Sequence, residues 1–143
     1  MKDLLNYDIY IFDYEGTLSE SPDRKLSIKD LLFDFDFRNL NPTKNIYDFV
    51  SSLKDKKIYV VGIIESGKEI EQKKEWLKSC YPMIREQDCM FISSDYKKSE
   101  VILEILNKYN YDKSKVIFID DKISHVEDVK QLGIKCVLVD DLK

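Results

Sequence analysis

No apolar run in this 143-residue chain approaches the roughly 20 residues needed to cross a bilayer. No membrane-spanning segment is expected. The opening stretch Met1-Lys2-Asp3-Leu4-Leu5 lacks the apolar core of a signal peptide and leads soon into a strand-like run. Cysteine is scarce: Cys80, Cys89 and Cys136 form neither a Cys-x-x-Cys pair nor an even set, which argues against a disulfide framework. Reduced thiols and a cytoplasmic location fit best, with Cys136 a core residue of the run Cys136-Val137-Leu138-Val139. There is no excess of positive charge, since 23 Lys and Arg face 27 Asp and Glu for a net charge of -4. Nucleic acid therefore enters the reading only as a substrate. Repeats, low-complexity tracts and linkers are also missing, so residues 1–143 read as a single domain.

What is present is a soluble, globular composition, 43% hydrophobic and 35% charged. Five short apolar runs read as strands: Ile9 to Phe12, Ile58 to Ile63, Met90 to Ile92, Val116 to Ile119 and Cys136 to Val139. Helical spacing lies between them. Ile46, Phe49, Val50 and Leu53 follow a cap at Thr43, and Ser66 with Glu69 forms a capping box that opens a helix through Ile70, Leu77 and Cys80. Val101, Ile102, Ile105, Leu106 and Tyr109 form a third stripe. Ser124 and Glu127 form a second capping box before Val126, Val129 and Leu132, with Gly133 as the stop. Strands alternating with helices predict a three-layer, Rossmann-like, doubly wound parallel sheet of about five strands. The segment from Glu20 to Pro42 breaks the pattern. Its alternating Leu32-Phe33-Asp34-Phe35-Asp36-Phe37 admits an extra strand, a flap edge or an irregular cover.

Two strand ends carry acids. Asp13-Tyr14-Glu15-Gly16-Thr17-Leu18 follows the first run, where a parallel sheet opens to ligand. Gly16 permits an abrupt turn, and two carboxylates in one loop offer a nucleophile together with an acid or base. Asp120-Asp121 ends the fourth run. Adjacent carboxylates repel, and a bound cation relieves that repulsion. Hard oxygen ligands beside a phosphate-bearing substrate suit Mg²⁺.

Asp-x-Glu-Gly-Thr resembles the first motif of the haloacid dehalogenase-like (HAD) superfamily, usually Asp-x-Asp-Gly-Thr. With Asp120-Asp121 and a lysine in Tyr96-Lys97-Lys98-Ser99-Glu100, the resemblance covers nearly the whole chain. It implies Asp13 as the nucleophile that becomes a phosphoaspartate. It implies Glu15 as the leaving-group acid, with its backbone carbonyl at the metal. Asp121 matches the principal metal ligand and Asp120 the supporting one. Lys98 best matches the lysine that steadies nucleophile and phosphoryl group, with Lys97 as the neighbouring alternative. The metal set implied is thus Asp13, Glu15, Asp120 and Asp121, with Mg²⁺ as the cofactor.

Two positions depart from the family pattern. The Ser or Thr expected at the end of the second strand falls at Gly62, which offers only a backbone N–H. Ser66 could supply the hydroxyl, although N-capping is its better-supported role. Glu15 stands where the family has Asp, and its extra methylene still allows proton delivery. Thr17 is expected to bond within its loop. His125, the sole histidine, is expected at a partly exposed surface position, with contact to substrate as the alternative; Trp76 is read as core or rim, and Lys73-Lys74 as a solvated face. The intervals between motifs leave no room for a sizeable cap domain.

The function expected is a Mg²⁺-dependent phosphomonoester hydrolase. Its partner is a phosphorylated substrate, small or macromolecular, and a homo-oligomer is compatible with either. The alternative is a catalytically weak domain that binds a phosphorylated ligand or a protein partner. An aspartyl nucleophile attacking carbon, as in the dehalogenases, fits the paired acids poorly. A receiver domain would carry its acidic pair after the first strand rather than the fourth.

Overall fold

A computed structural model describes residues 2–22 and 25–142; Met1, the first residue of the opening stretch considered above, lies outside them. The five apolar runs form strands β1 (Ile9–Phe12), β2 (Lys57–Ile64), β3 (Cys89–Ser93), β4 (Val116–Asp120) and β5 (Lys135–Leu138). All pair in parallel, in the order β3-β2-β1-β4-β5. Between them run α1 (Lys44–Ser51), α2 (Gly67–Cys80), α3 (Lys98–Lys108) and α4 (Ile123–Lys130). This is the α/β, three-layer, Rossmann-like architecture that the alternating pattern predicts.

Side chains alternate across a strand, and the two apolar cores divide accordingly. Tyr10, Phe12, Ile58, Val60, Ile117 and Ile119 point to one face, where they meet Ile46, Phe49 and Val50 of α1 and Trp76 and Leu77 of α2. Ile9, Ile11, Tyr59, Val61, Val116 and Phe118 point to the other, against Ile102, Ile105 and Leu106 of α3 and Val126 and Val129 of α4. A strand buried on both faces needs apolar residues at every position, which is why these runs are continuous. No helix among the described residues is long and apolar enough to cross a membrane.

One local expectation is corrected. α4 starts at Ile123 after Lys122, so Ser124 lies inside the first turn and is not the cap. Of the three readings open for the alternating stretch within Glu20 to Pro42, the structure takes the irregular cover. Residues Asp30–Asp34 make a π-helical turn and Phe37–Asn39 a 3-10 turn; the side chains of Leu32 and Phe33 fall outside the described ones. The excursion is tied at its stem, where Glu20 N–H donates to Asn41 O (2.9 Å) and Thr43 N–H to Leu18 O (3.0 Å). It lies on α2: Phe37 is buried, its N–H donates to Gln72 Oε1 (3.0 Å), and Trp76 Nε1 donates to Leu40 O (2.6 Å). Docking on a helix satisfies these groups without a sheet edge, so the period-2 spacing has no ladder to join.

Tyr81 joins the end of α2 to the loop after β1. Its N–H donates to Leu77 O (2.7 Å), and its fully buried hydroxyl donates to Leu18 O (2.9 Å). Tyr81→Phe removes one of the two hydrogen bonds that Leu18 O accepts, leaving the one from Thr43 N–H, and should lower stability by about 0.5–1.5 kcal/mol. Denaturant unfolding checks this, and an unshifted midpoint would show that the bond contributes nothing.

Candidate active site

In the order β3-β2-β1-β4-β5 the chain winds outward to one side from β1 and to the other from β4. The crevice at that switch, beyond the carboxyl ends of the strands, is where such sheets take ligands. Asp13 follows β1 directly, and its N–H donates to Ile119 O (3.0 Å). The ladder therefore positions Asp13 one residue past the strand. Asp120 is the last residue of the neighbouring β4, and the two buried carboxylates emerge side by side.

Lys98 lies between them. It is the first residue of α3, buried, and its Nζ donates to Asp13 Oδ1 at 2.5 Å and to Asp120 Oδ2 at 2.8 Å. Burial pulls this ammonium down, but the two carboxylates outweigh it and raise it, so it stays charged. The choice between neighbouring lysines is thereby decided. Lys97 is the exposed cap of α3, and Lys98 is the residue in the crevice. Thr17 Oγ1 donates to Asp13 Oδ2 (3.1 Å), the intraloop bond expected of it.

Both oxygens of Asp120 are engaged. Lys98 and His125 Nδ1 (2.9 Å) share Oδ2, and Lys122 N–H donates to Oδ1 (3.0 Å). Burial raises this carboxyl, but those hydrogen bonds and Lys98 prevail and hold it well below the usual range. Asp121 is its opposite. Oδ1 is buried without a partner, and burial together with Asp13 and Asp120 pushes the carboxyl up to about 8. Asp13 is also raised, by burial first, against the pull of Lys98. One oxygen from each of Asp13, Asp120 and Asp121 lies within 4.8 Å of the others. An unpartnered buried oxygen in a set of three carboxylates fits a hard divalent cation, which would displace the proton from Asp121.

Gly16 makes this arrangement sterically feasible. Its φ is +78°, and a Cβ there would stand 2.1 Å from Asp121 Oδ2. Only a residue without a side chain both adopts that turn and leaves the space in which the Asp121 carboxylate sits.

Glu15 points elsewhere. Its Oε1 accepts from Lys73 Nζ at 2.7 Å, and its carboxylate is not part of the three-carboxylate group. Lys73, expected on a solvated face, is completely buried. Its neighbours explain why: Nζ also donates to Glu69 Oε1 (3.0 Å) and Ile63 O (3.3 Å), and it lies over the rings of Tyr14 (5.1 Å) and Phe37 (4.8 Å). The buried face of α2 runs through Glu69, Lys73, Trp76 and Leu77. Trp76 is core, and the i, i+4 spacing of Glu69 and Lys73 allows an ion pair without marking it as buried.

His125 is partly exposed, as expected, and bonded to Asp120, and it lines an open cleft with Ile63, Ser94, Tyr96 and Lys97 beside Lys98. A lone histidine carries no pattern, and only the fold brings it to Asp120.

Gly62 lies inside β2, which runs to Ile64, one residue beyond the apolar run read from the sequence. A Cβ at Gly62 would stand 3.1 Å from Tyr14 Cβ and 3.3 Å from the Phe91 ring. The missing side chain makes room for the aromatic residue of the Asp13 loop rather than for a ligand. Ser66 caps α2 in a capping box, its N–H donating to Glu69 Oε2 (2.9 Å) alongside Glu65 N–H (2.7 Å).

In the absence of divalent cations, Asp121 takes up a proton on folding between its ordinary value of 3.8 and about 8. The native state then binds more protons than the unfolded chain, so stability should fall as pH rises through that window. Asp121→Asn should flatten that slope. Thermal melts in chelator check this, and an identical slope in the variant would place the titration on another group.

A family model described only as a protein of unknown function (DUF2608) matches residues 69–135. The match spans α2 to the start of β5, including Lys73, Lys98, Asp120, Asp121 and His125, and stops short of the Asp13 loop. No curated protein matches the chain.

Proposed function

We propose that the protein is a phosphomonoester hydrolase of the haloacid dehalogenase-like type, working through a phosphoaspartate on Asp13. The observation that carries this reading is the Lys98 ammonium shared by Asp13 and Asp120 at the β1/β4 switch, beside the unpartnered Oδ1 of Asp121.

Asp13 is held by the ladder at its N–H and by Thr17 and Lys98 at its two oxygens. That fixes the direction in which its carboxylate meets a phosphorus atom. Lys98 opposes the effect of burial on the Asp13 carboxyl and offers positive charge to the equatorial phosphoryl oxygens. Asp120, with His125 and Lys122 behind it, orients Lys98. Asp13 and Asp121, supported by Asp120 and with the Glu15 backbone carbonyl as the further ligand implied by the resemblance, would hold Mg²⁺. That ion would supply charge neutralisation on the transferring group.

The substrate is a phosphorylated small molecule or macromolecule. Short covering turns occupy residues 25–40 in place of a cap, and Ile28, Tyr96 and Ile123 are exposed. A cytoplasmic setting accords with three free cysteines. A second reading, a domain that binds a phosphorylated ligand or a partner with little turnover, is favoured by one observation: Lys73 engages the carboxylate of Glu15.

Phosphate release from an aryl phosphate should require Mg²⁺ and vanish in Asp13→Asn. Lys98→Met should lose on the order of 10²–10³-fold in kcat, the usual cost of one electrostatic donor to the transition state. Wild type and Asp13→Asn equally silent across a broad phosphate-ester panel would remove the hydrolase reading. Tight phosphate or Mg²⁺ binding without turnover would favour the second.

A further inference from the structure

We infer that Lys73 is a specificity-determining residue: it holds Glu15 away from acid duty, and the site accordingly takes phosphoryl donors whose leaving group departs without a proton. Acyl phosphates, aryl phosphates and phosphoanhydrides belong to that class, and alkyl phosphomonoesters do not. The inference rests on the phosphoaspartate reading above.

Lys73 has no exposed surface. Its three ammonium protons face three acceptors: Glu15 Oε1 at 2.7 Å, Glu69 Oε1 at 3.0 Å and Ile63 O at 3.3 Å. Glu69 is fixed in turn by the N–H groups of Glu65 and Ser66. The rings of Tyr14 and Phe37 close over the ammonium. Every part of this cluster is anchored except the Glu15 side chain, which remains partly exposed. If Glu15 swung towards a leaving oxygen, a buried ammonium would be one acceptor short. The Glu15 oxygen that accepts this hydrogen bond from the ammonium has no proton to give.

The chemistry follows from that. An Asp13 oxygen forms the new bond to phosphorus, and the bond from phosphorus to the leaving oxygen breaks with its electron pair on that oxygen. A carboxylate, a phenolate or a phosphate leaves as a stable anion. An alkoxide does not, and without an acid it forfeits the roughly 10²–10⁴-fold that proton donation contributes. Water then attacks the phosphoaspartate, returning the Asp13 carboxylate and leaving its proton with the phosphate product or solvent.

The test compares kcat/KM across aryl phosphates of graded phenol acidity, acetyl phosphate and glycerol 3-phosphate, with trapping of labelled phosphate on Asp13. Wild type should depend steeply on leaving-group basicity, and Glu15→Gln, which still offers Lys73 an acceptor, should keep the same slope. Lys73→Met combined with Glu69→Gln frees Glu15, so its slope should become shallow and glycerol 3-phosphate should gain on the order of 10²–10⁴-fold. A shallow slope in wild type that steepens in Glu15→Gln overturns the inference and leaves the phosphoaspartate enzyme standing. That arm decides the matter even where the double variant does not fold. Failure of every donor, acetyl phosphate included, to label Asp13 overturns both.

Discussion

The ammonium of Lys98 is the interaction on which the functional end of this molecule depends. β1 and β4 are neighbours in the sheet, so their terminal acids leave it side by side, both buried. Two carboxylates in that position repel each other strongly in a low-dielectric setting. Lys98 meets both at hydrogen-bond distance, and the Phe118 ring lies 5.8 Å from its Nζ. Such a group is an all-or-nothing element, since removing one partner of a buried pair typically costs about 3–5 kcal/mol. The acids, the start of α3 and the ends of two central strands therefore hold one another in place.

A second buried lysine gives the Asp13 loop a two-sided character. Lys98 comes from α3, which packs on one face of the sheet, and Lys73 from α2, which packs on the other. Between them the loop after β1 sends Asp13 to the first ammonium and Glu15 to the second. Tyr14, buried against Trp76 and Phe91, separates the two. The chemistry of each acid is thus set by the helix it meets, although only one residue lies between them.

Much of this was legible in the chain because burial on both faces leaves strands with no polar positions. Ile9 to Phe12 and Val116 to Ile119 could hardly be read otherwise, and the acids after them stood out against that background. Asp13, Lys98 and Asp121 were therefore within reach of sequence reasoning. Lys73 was not, because a lysine in a helix rich in Lys and Glu reads as solvated until the rings of Tyr14 and Phe37 are known to cover it. The surroundings of Gly62 were not, because Tyr14 and Phe91 come to stand where its Cβ would be only through the fold. The alternation ending at Phe37 left three readings open, because period-2 spacing marks a strand only where an edge exists to pair with, and this segment meets a helix instead.

The ladder bond from Asp13 N–H to Ile119 O makes the three-carboxylate group mechanically lopsided. Asp13 and Asp120 are extensions of the two central strands and share their stiffness. Asp121 belongs to the turn after β4, and its carboxylate rests against the bare backbone of Gly16. The placement of the group is thus divided between two strand ends fixed by the sheet and one turn whose course is set by the absence of a side chain at Gly16.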